Sequence, residues 1–274
     1  MERGQPGRKE EFRLYRPILI ALIMGVMALA PGVVMADDGD FLSREESLVY
    51  RVAYGPSHLA DLDLTIGCED QGRLEAKLVA ESQGMTNRVH PFRVRLDTNT
   101  DLNGAATSWA QTWIREKGST RRYRSRFDNS PQVATEASIG GNESREIIGL
   151  PTAGHDLLSW IMHLRRDVAD QGRLSESKRY ALWDGWKLVW LDVTPGDVEI
   201  KETPLGDVRA QSFRLRRTRL HHEGDERFEP REEIEELGTI WIEVAGRALP
   251  VAMAFRAPIG NVRIRLDDYE STGC

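Results

Sequence analysis

Two cysteines in 274 residues are too few for a disulfide-knotted scaffold or a cysteine-rich zinc module. The chain contains no HExxH, no GxSxG elbow, no GxGxxG and no glycine loop of the kind that cradles phosphate. A zincin, a nucleophile-elbow hydrolase and a dinucleotide-binding module are thereby excluded. Basic residues are in deficit, 37 Lys and Arg against 43 Asp and Glu, for a net charge of −6. General nucleic-acid binding needs concentrated cations, so no nucleic-acid partner is expected. Long apolar runs are absent after residue 36. What is present is ample apolar content: 40% hydrophobic residues exclude a wholly disordered chain.

The one long apolar run belongs to an export signal. Arg3, Arg8, Lys9, Arg13 and Arg16 precede an apolar stretch from Ile18 through Ala30. Pro31 and Gly32 break it, and Val34-Met-Ala36 leads into acidic Asp37 and Asp38. Small residues before an acidic, extended segment suit a signal peptidase. The run is 13 residues long, short of the roughly 20 needed to span a bilayer. The expected organisation is a signal peptide at 1–36, a linker at 37–44, a single β-rich domain at 45–270 and a C-terminal tail at 271–274. Cleavage after Ala36 places the protein in the periplasm; the alternative is an uncleaved N-terminal inner-membrane anchor facing the same compartment. The mature chain is then soluble or at most peripheral to a membrane. Cys68 and Cys274 both survive cleavage and are the candidate disulfide pair in an oxidising compartment. A half-buried Cys68 beside a free, frayed Cys274 stays open as the alternative.

Beyond the leader the dominant period is two, which predicts strands. In the stretch 59–66, Leu62, Leu64 and Ile66 alternate with Asp61, Asp63 and Thr65. Leu74, Ala76, Leu78 and Ala80 repeat the pattern, as do Phe92, Val94 and Leu96 between Arg93 and Arg95. Turn signals recur about every ten residues, the mark of an antiparallel meander. Asp184-Gly185 between Trp183 and Trp186 reads as a hairpin turn. One segment, about 155–166, reads as a helix. Thr152 or Asp156 can cap it; Leu157, Leu158, Trp160, Ile161, Met162 and Leu164 make a wide apolar face, and Arg165 and Arg166 fall in its last turn. The fold class expected is mainly β: a large curved antiparallel sheet or open β-barrel-like wrap of eleven to thirteen strands with one short amphipathic helix.

Asp156-Leu-Leu-Ser-Trp-Ile-Met-His-Leu-Arg165 resembles the helical D-x-L-S-x-x-x-x-L-R signature of the domain-of-unknown-function family numbered 3108, exported proteins of Gram-negative bacteria. Glu45-Glu-Ser-Leu-Val-Tyr-Arg-Val-Ala-Tyr-Gly55, Asp184-Gly185 with Lys187, Glu202-Thr-Pro-Leu-Gly206, Ile240-Trp-Ile-Glu243, Leu249-Pro-Val251 and Ile259-Gly-Asn-Val262 supply matching context in order. The similarity covers about residues 45–270. It implies a β-rich envelope protein and no reaction. The acidic insert at 223–236 and the terminal Cys274 depart from the usual pattern.

No catalytic residue, metal site or cofactor is assigned from the residues. His221-His222-Glu223 opens an acidic run that reads as a solvated loop, since adjacent histidines on a strand face opposite ways. His155-Asp156 could orient a base, but capping accounts for Asp156. Arg121, Arg122, Arg124 and Arg126 read as the solvated face of a curved sheet, with a stripe for an anionic headgroup or polysaccharide as the alternative. Among seven tryptophans, Trp186 and Trp190 are expected on one strand face. The tryptophans read as core packing against the helix; the alternative is an apolar pocket for a lipid-like or glycan ligand, with Trp160, Trp186 and Trp190 as the candidate ligand-binding residues. The expected function is therefore an exported envelope β-protein, more a binder than an enzyme. Its partner would be a lipid-like ligand or an envelope component, with the helix as plug or lid. A structural or assembly role without a small ligand and a hydrolase with dispersed acidic residues are the alternatives.

Overall fold

The computed structural model describes residues 44–68, 70, 72–102, 106–127, 132–223, 227–244, 246–257 and 260–274, and their side chains except at 106 and 221–233. Residues 1–43, with the expected signal segment and most of the expected linker, lie outside the described residues. Fifteen strands form one sheet: β1 (Arg44–Tyr54), β2 (Ser57–Ile66), β3 (Arg73–Ser82), β4 (Phe92–Asp101), β5 (Ala106–Glu116), β6 (Ser119–Phe127), β7 (Gln132–Ile139), β8 (Asn142–Gly149), β9 (Gly154–His155), β10 (Lys178–Trp183), β11 (Leu188–Thr203), β12 (Gly206–Glu223), β13 (Arg227–Glu243), β14 (Pro250–Ala257) and β15 (Gly260–Gly273). Two helices accompany them, α1 (Gly84–Val89) and α2 (Ser159–Gln171). The fold class read from the period-two pattern is the one observed, with more strands and a second, exposed helix.

The sheet order is β8-β7-β6-β5-β4-β3-β2-β1-β15-β14-β13-β12-β11-β10-β9. The chain begins in the middle, meanders to one edge, and restarts at the other edge to return. A flat sheet of this many strands would be roughly 65 Å wide. The link from Gly149 at one edge to Gly154 at the other can reach only about 18 Å. The sheet must therefore roll until its edges approach. Bulges between Leu215 and Arg216 and between Thr218 and Leu220 help the long strands bend. Gly238 is required at the first of these: a Cβ there would lie 1.9 Å from the Ala254 carbonyl oxygen.

Alternate residues point inward and form one apolar cluster that includes Leu48, Leu62, Leu64, Leu78, Val94, Ile264 and the helix residues Trp160, Met162 and Leu164. Full burial of each such side chain stabilises by about 1.5–3 kcal/mol. The β10–β11 end is buried on both faces. Tyr180, Leu182, Val189 and Leu191 join the main cluster, while Ala181, Trp183 and Leu188 pack with Phe127, Val133 and Leu150 in a second one. The roll thus overlaps itself, with β10–β11 tucked inside β6–β7.

Several boundaries differ from expectation. Helix α2 runs on to Gln171, five residues past Arg166, and stops at Gly172, whose φ is 69°. The polar segment Arg165-Arg-Asp167 hides this continuation in the sequence. Residues 271–273 of the expected tail instead complete β15, and Cys274, just beyond it, is bonded to Cys68 with Cα atoms 6.0 Å apart. The backbone at 221–223 and 227–236 extends the β12–β13 hairpin rather than forming a loop, with His221 opposite Glu229; residues 224–226 lie outside the described residues.

Candidate functional site

Helix α2 is fixed inside the roll at its entry and at its middle. At its entry the Asp156 carboxylate accepts hydrogen bonds from Thr98 Oγ1 (2.6 Å), Thr107 Oγ1 (2.9 Å) and the Leu158 N–H (2.8 Å). The Asp156 N–H donates to Thr107 Oγ1 and Ser159 Oγ. These bonds satisfy donors that the first helical turn leaves open and tie it to β4 and β5. The Ser159 hydroxyl is engaged by Thr107 and Asp156, so it is not set up as a nucleophile.

Farther along, Arg165 is wholly buried and sits 2.7 Å from the equally buried Glu46 of β1. Arg165 also donates to the carbonyls of Ala248 and Arg247. Tyr269 donates to Glu46 at 3.0 Å, and burial, then the Glu46 charge, push its phenol up to about 12. Arg247 pairs with Glu243 at 3.2 Å; burial still raises the Glu243 carboxyl. From the sequence, Arg165 reads as a last-turn cation matched to the helix dipole. The longer helix places it mid-helix, where Glu46 neutralises it instead. The residues quoted for the family resemblance, Glu46, Asp156, Ser159 and Arg165, therefore converge on anchoring one helix.

Between these anchors His155 packs edge-on to His163 (4.9 Å) and to Tyr180 (5.1 Å). Burial, and then His163, lower His155 to about 3. Burial is also the main cause that brings His163 to about 4, against the opposing pull of Asp167. Both rings are neutral at pH 7. No group of three or more His, Cys, Asp or Glu suited to a metal ion occurs among the described residues.

The three candidate tryptophans do not line one pocket. Trp160 is fully buried in the main cluster. Trp186 packs against that cluster beside Tyr123, with ring centroids 4.8 Å apart. Trp190 packs against the second cluster. Trp186 and Trp190 do not share a strand, because β11 begins at Leu188. The cause is Asp184: its carboxylate accepts from the N–H groups of Trp186 (3.0 Å) and Lys187 (2.7 Å) and widens the turn. Burial raises Asp184 to about 6.

The accessible candidate lies on the outer wall. Strand register places Trp113 directly opposite Arg95 of β4 and Arg122 of β6. Gln111 lies between Asp97 and Arg124, and Trp109 between Asn99 and Arg126. Directly opposed residues share a face, so two indoles about 14 Å apart along β5 alternate with guanidinium groups. Trp109 is 39% exposed. Arg95 is held by Asp97 and Arg124 by Gln111 (3.1 Å), whereas Arg121 turns to Glu116. A groove of about 840 Å³ runs over this wall, with Trp113, Arg122, Arg124, Glu136 and Arg145 in its lining. Sequence reading found the arginine stripe but missed Trp109, Trp113 and Arg145. Only the pairing register of β4–β8 brings them together.

Comparison with known proteins agrees with this architecture. The profile of the family described as "Protein of unknown function (DUF3108)" matches residues 49–267. No curated protein matches the sequence. A crystal structure of a β-barrel-like protein of the domain of unknown function DUF1849 from Brucella abortus is similar, with a TM-score of 0.54 at 8% identity over 84% of this chain and 98% of that one. That likeness concerns the fold.

Proposed function

The chain belongs to the DUF3108 family, and from that premise we propose that it is an exported, non-catalytic binding protein of the cell envelope whose outer wall holds a short anionic saccharide. The observation that carries this reading is the register that seats Trp113 between Arg95 and Arg122, with Trp109 beside Arg126. Indole faces stack on sugar rings, and guanidinium forks bind carboxylate or phosphate. The leader-like segment at 1–36 and the Cys68–Cys274 disulfide support an oxidising compartment, the periplasm. An acyl chain inside the roll is the weaker reading, because the buried part of α2 occupies the interior and is bonded at its entry and its middle.

Titration with polygalacturonate, with neutral dextran and phosphatidylglycerol vesicles as comparisons, tests the proposal. Polygalacturonate should bind, more weakly as salt rises, and Trp113→Ala or Arg122→Gln should weaken it by about tenfold, one lost charged or stacking contact, without lowering the unfolding midpoint. Equal binding of dextran, or binding of vesicles in place of polygalacturonate, overturns it. For the export part, the chain recovered from cells should begin at Asp37 in the periplasmic fraction; an intact cytosolic chain contradicts that.

A further inference from the structure

A second groove, of about 720 Å³, lies where the tip of the β11–β12 hairpin meets β1 and β15. Its lining includes Arg51, Arg263, Arg265, Asp267, Glu202 and Thr203. Arg51 stands directly opposite Arg265 across the strand pair, and Arg263 follows two residues along on the same face. Like charges placed opposite one another disfavour that pairing. The neighbouring acids relieve it only in part. Asp267 takes Arg51 at 2.7 Å, and Asp61 stands opposite Arg51 from β2. Arg263 and Arg265 form no ion pair with any described residue. Three guanidinium groups thus face one groove with two carboxylates, Glu202 and Asp267, in its lining.

We propose that this groove is a phosphate-binding site, separate from the saccharide platform. Three arginines on two neighbouring strands offer a fan of N–H donors, and a phosphate dianion supplies several acceptor oxygens and the charge needed between Arg51 and Arg265. The two basic regions are not one continuous track. Four strand spacings, about 19 Å, separate β1 from β5, and Asp61 and Glu81, opposed across β2 and β3, lie in the row between them. The ligand is therefore compact: free phosphate or a phosphate monoester such as a headgroup.

Inorganic phosphate and glycerol 3-phosphate, each titrated into the full disulfide-bonded protein by calorimetry, test the site. At least one should bind, and Arg263→Gln with Arg265→Gln should weaken it by about tenfold or more. Those two side chains are exposed, so the variant should keep the wild-type unfolding midpoint, and phosphate should raise that midpoint only in the wild type. Tighter binding of the monoester points to an esterified source; equal binding points to free phosphate. Failure of both to bind, or binding indifferent to the two substitutions, overturns the proposal. Arg122→Gln should leave phosphate binding intact, so this site and the platform can fail independently.

Discussion

Burial decides the charge of His155 and His163, and the consequence is a dependence of stability on pH. An unfolded imidazole takes up a proton near pH 6.5, whereas in the folded chain His155 waits until about 3 and His163 until about 4. Between those limits the unfolded state binds more protons, so stability falls as pH drops from about 6.5 toward 4. Each group contributes a slope of up to about 1.4 kcal/mol per pH unit. Asp184 runs the other way. Its carboxyl is raised to about 6, so the folded state binds the extra proton from about 6 down toward 3.8 and Asp184 offsets roughly one histidine. Replacing His155 by Phe should flatten the loss by about one histidine's slope, read from urea unfolding between pH 4.5 and pH 7. An unchanged slope would mean that His155 titrates normally in the folded protein. His155 Nδ1, His163 Nε2, Trp160 Nε1 and the Tyr180 hydroxyl have no hydrogen-bond partner among the described residues. At neutral pH the Phe variant should thus cost little, since an apolar ring leaves no orphaned nitrogen.

Helix α2 acts as a fastener, and its fastening is electrostatic as well as apolar. Arg165→Met leaves the Glu46 carboxylate buried without its cation, a loss on the order of 3–5 kcal/mol. Combining it with Glu46→Gln removes the stranded charge while keeping an acceptor for Tyr269. The double variant should be more stable than the single one by at least about 2 kcal/mol in urea unfolding; additive losses would deny the coupling. The apolar face of α2 and the role of Asp156 are legible in the sequence because both are local signals. The partner of Arg165 is not: Glu46 lies far back in the chain, and no short-range pattern links them. The same divide holds for the strands. Leu62, Leu64 and Ile66 announce an inward face by their spacing alone. In β8, residues 142–147 are exposed, so no apolar alternation announces that strand. Its Glu143, Arg145 and Glu146 charge an open sheet edge, which discourages pairing with another copy. Trp109 and Trp113 are visible as residues, but their arginine neighbours follow from register, which turn signals fix only loosely.

At the scale of the whole molecule, the curl follows from chain length: the short link from β8 to β9 brings the two edges near each other without pairing them. A curved sheet is readable from strand count and spacing, yet the overlap of β10–β11 beneath β6–β7 is not, because it rests on contacts such as Trp183 Nε1 donating to Thr135 Oγ1 (2.8 Å) across distant strands. Among the described residues, the return of β15 onto β1 joins the first strand to the last, with Arg44 opposite Gly273. The Cys68–Cys274 bond, spanning 206 positions, spans it from the end of β2. It passes beside the first residues of β1, where Glu46 begins the buried ion network. Such a long loop lets the bond restrict the unfolded chain strongly, by about 5 kcal/mol at most on the chain-entropy account. Reduction should therefore lower the unfolding midpoint markedly while β1 still pairs with both neighbours at rest. Cys68→Ser with Cys274→Ser should match the reduced wild type and ignore reductant. If reductant leaves the wild-type midpoint where it was, the two ends are held by strand pairing and the Glu46–Arg165 pair alone, and the bond only records the compartment in which the chain folded.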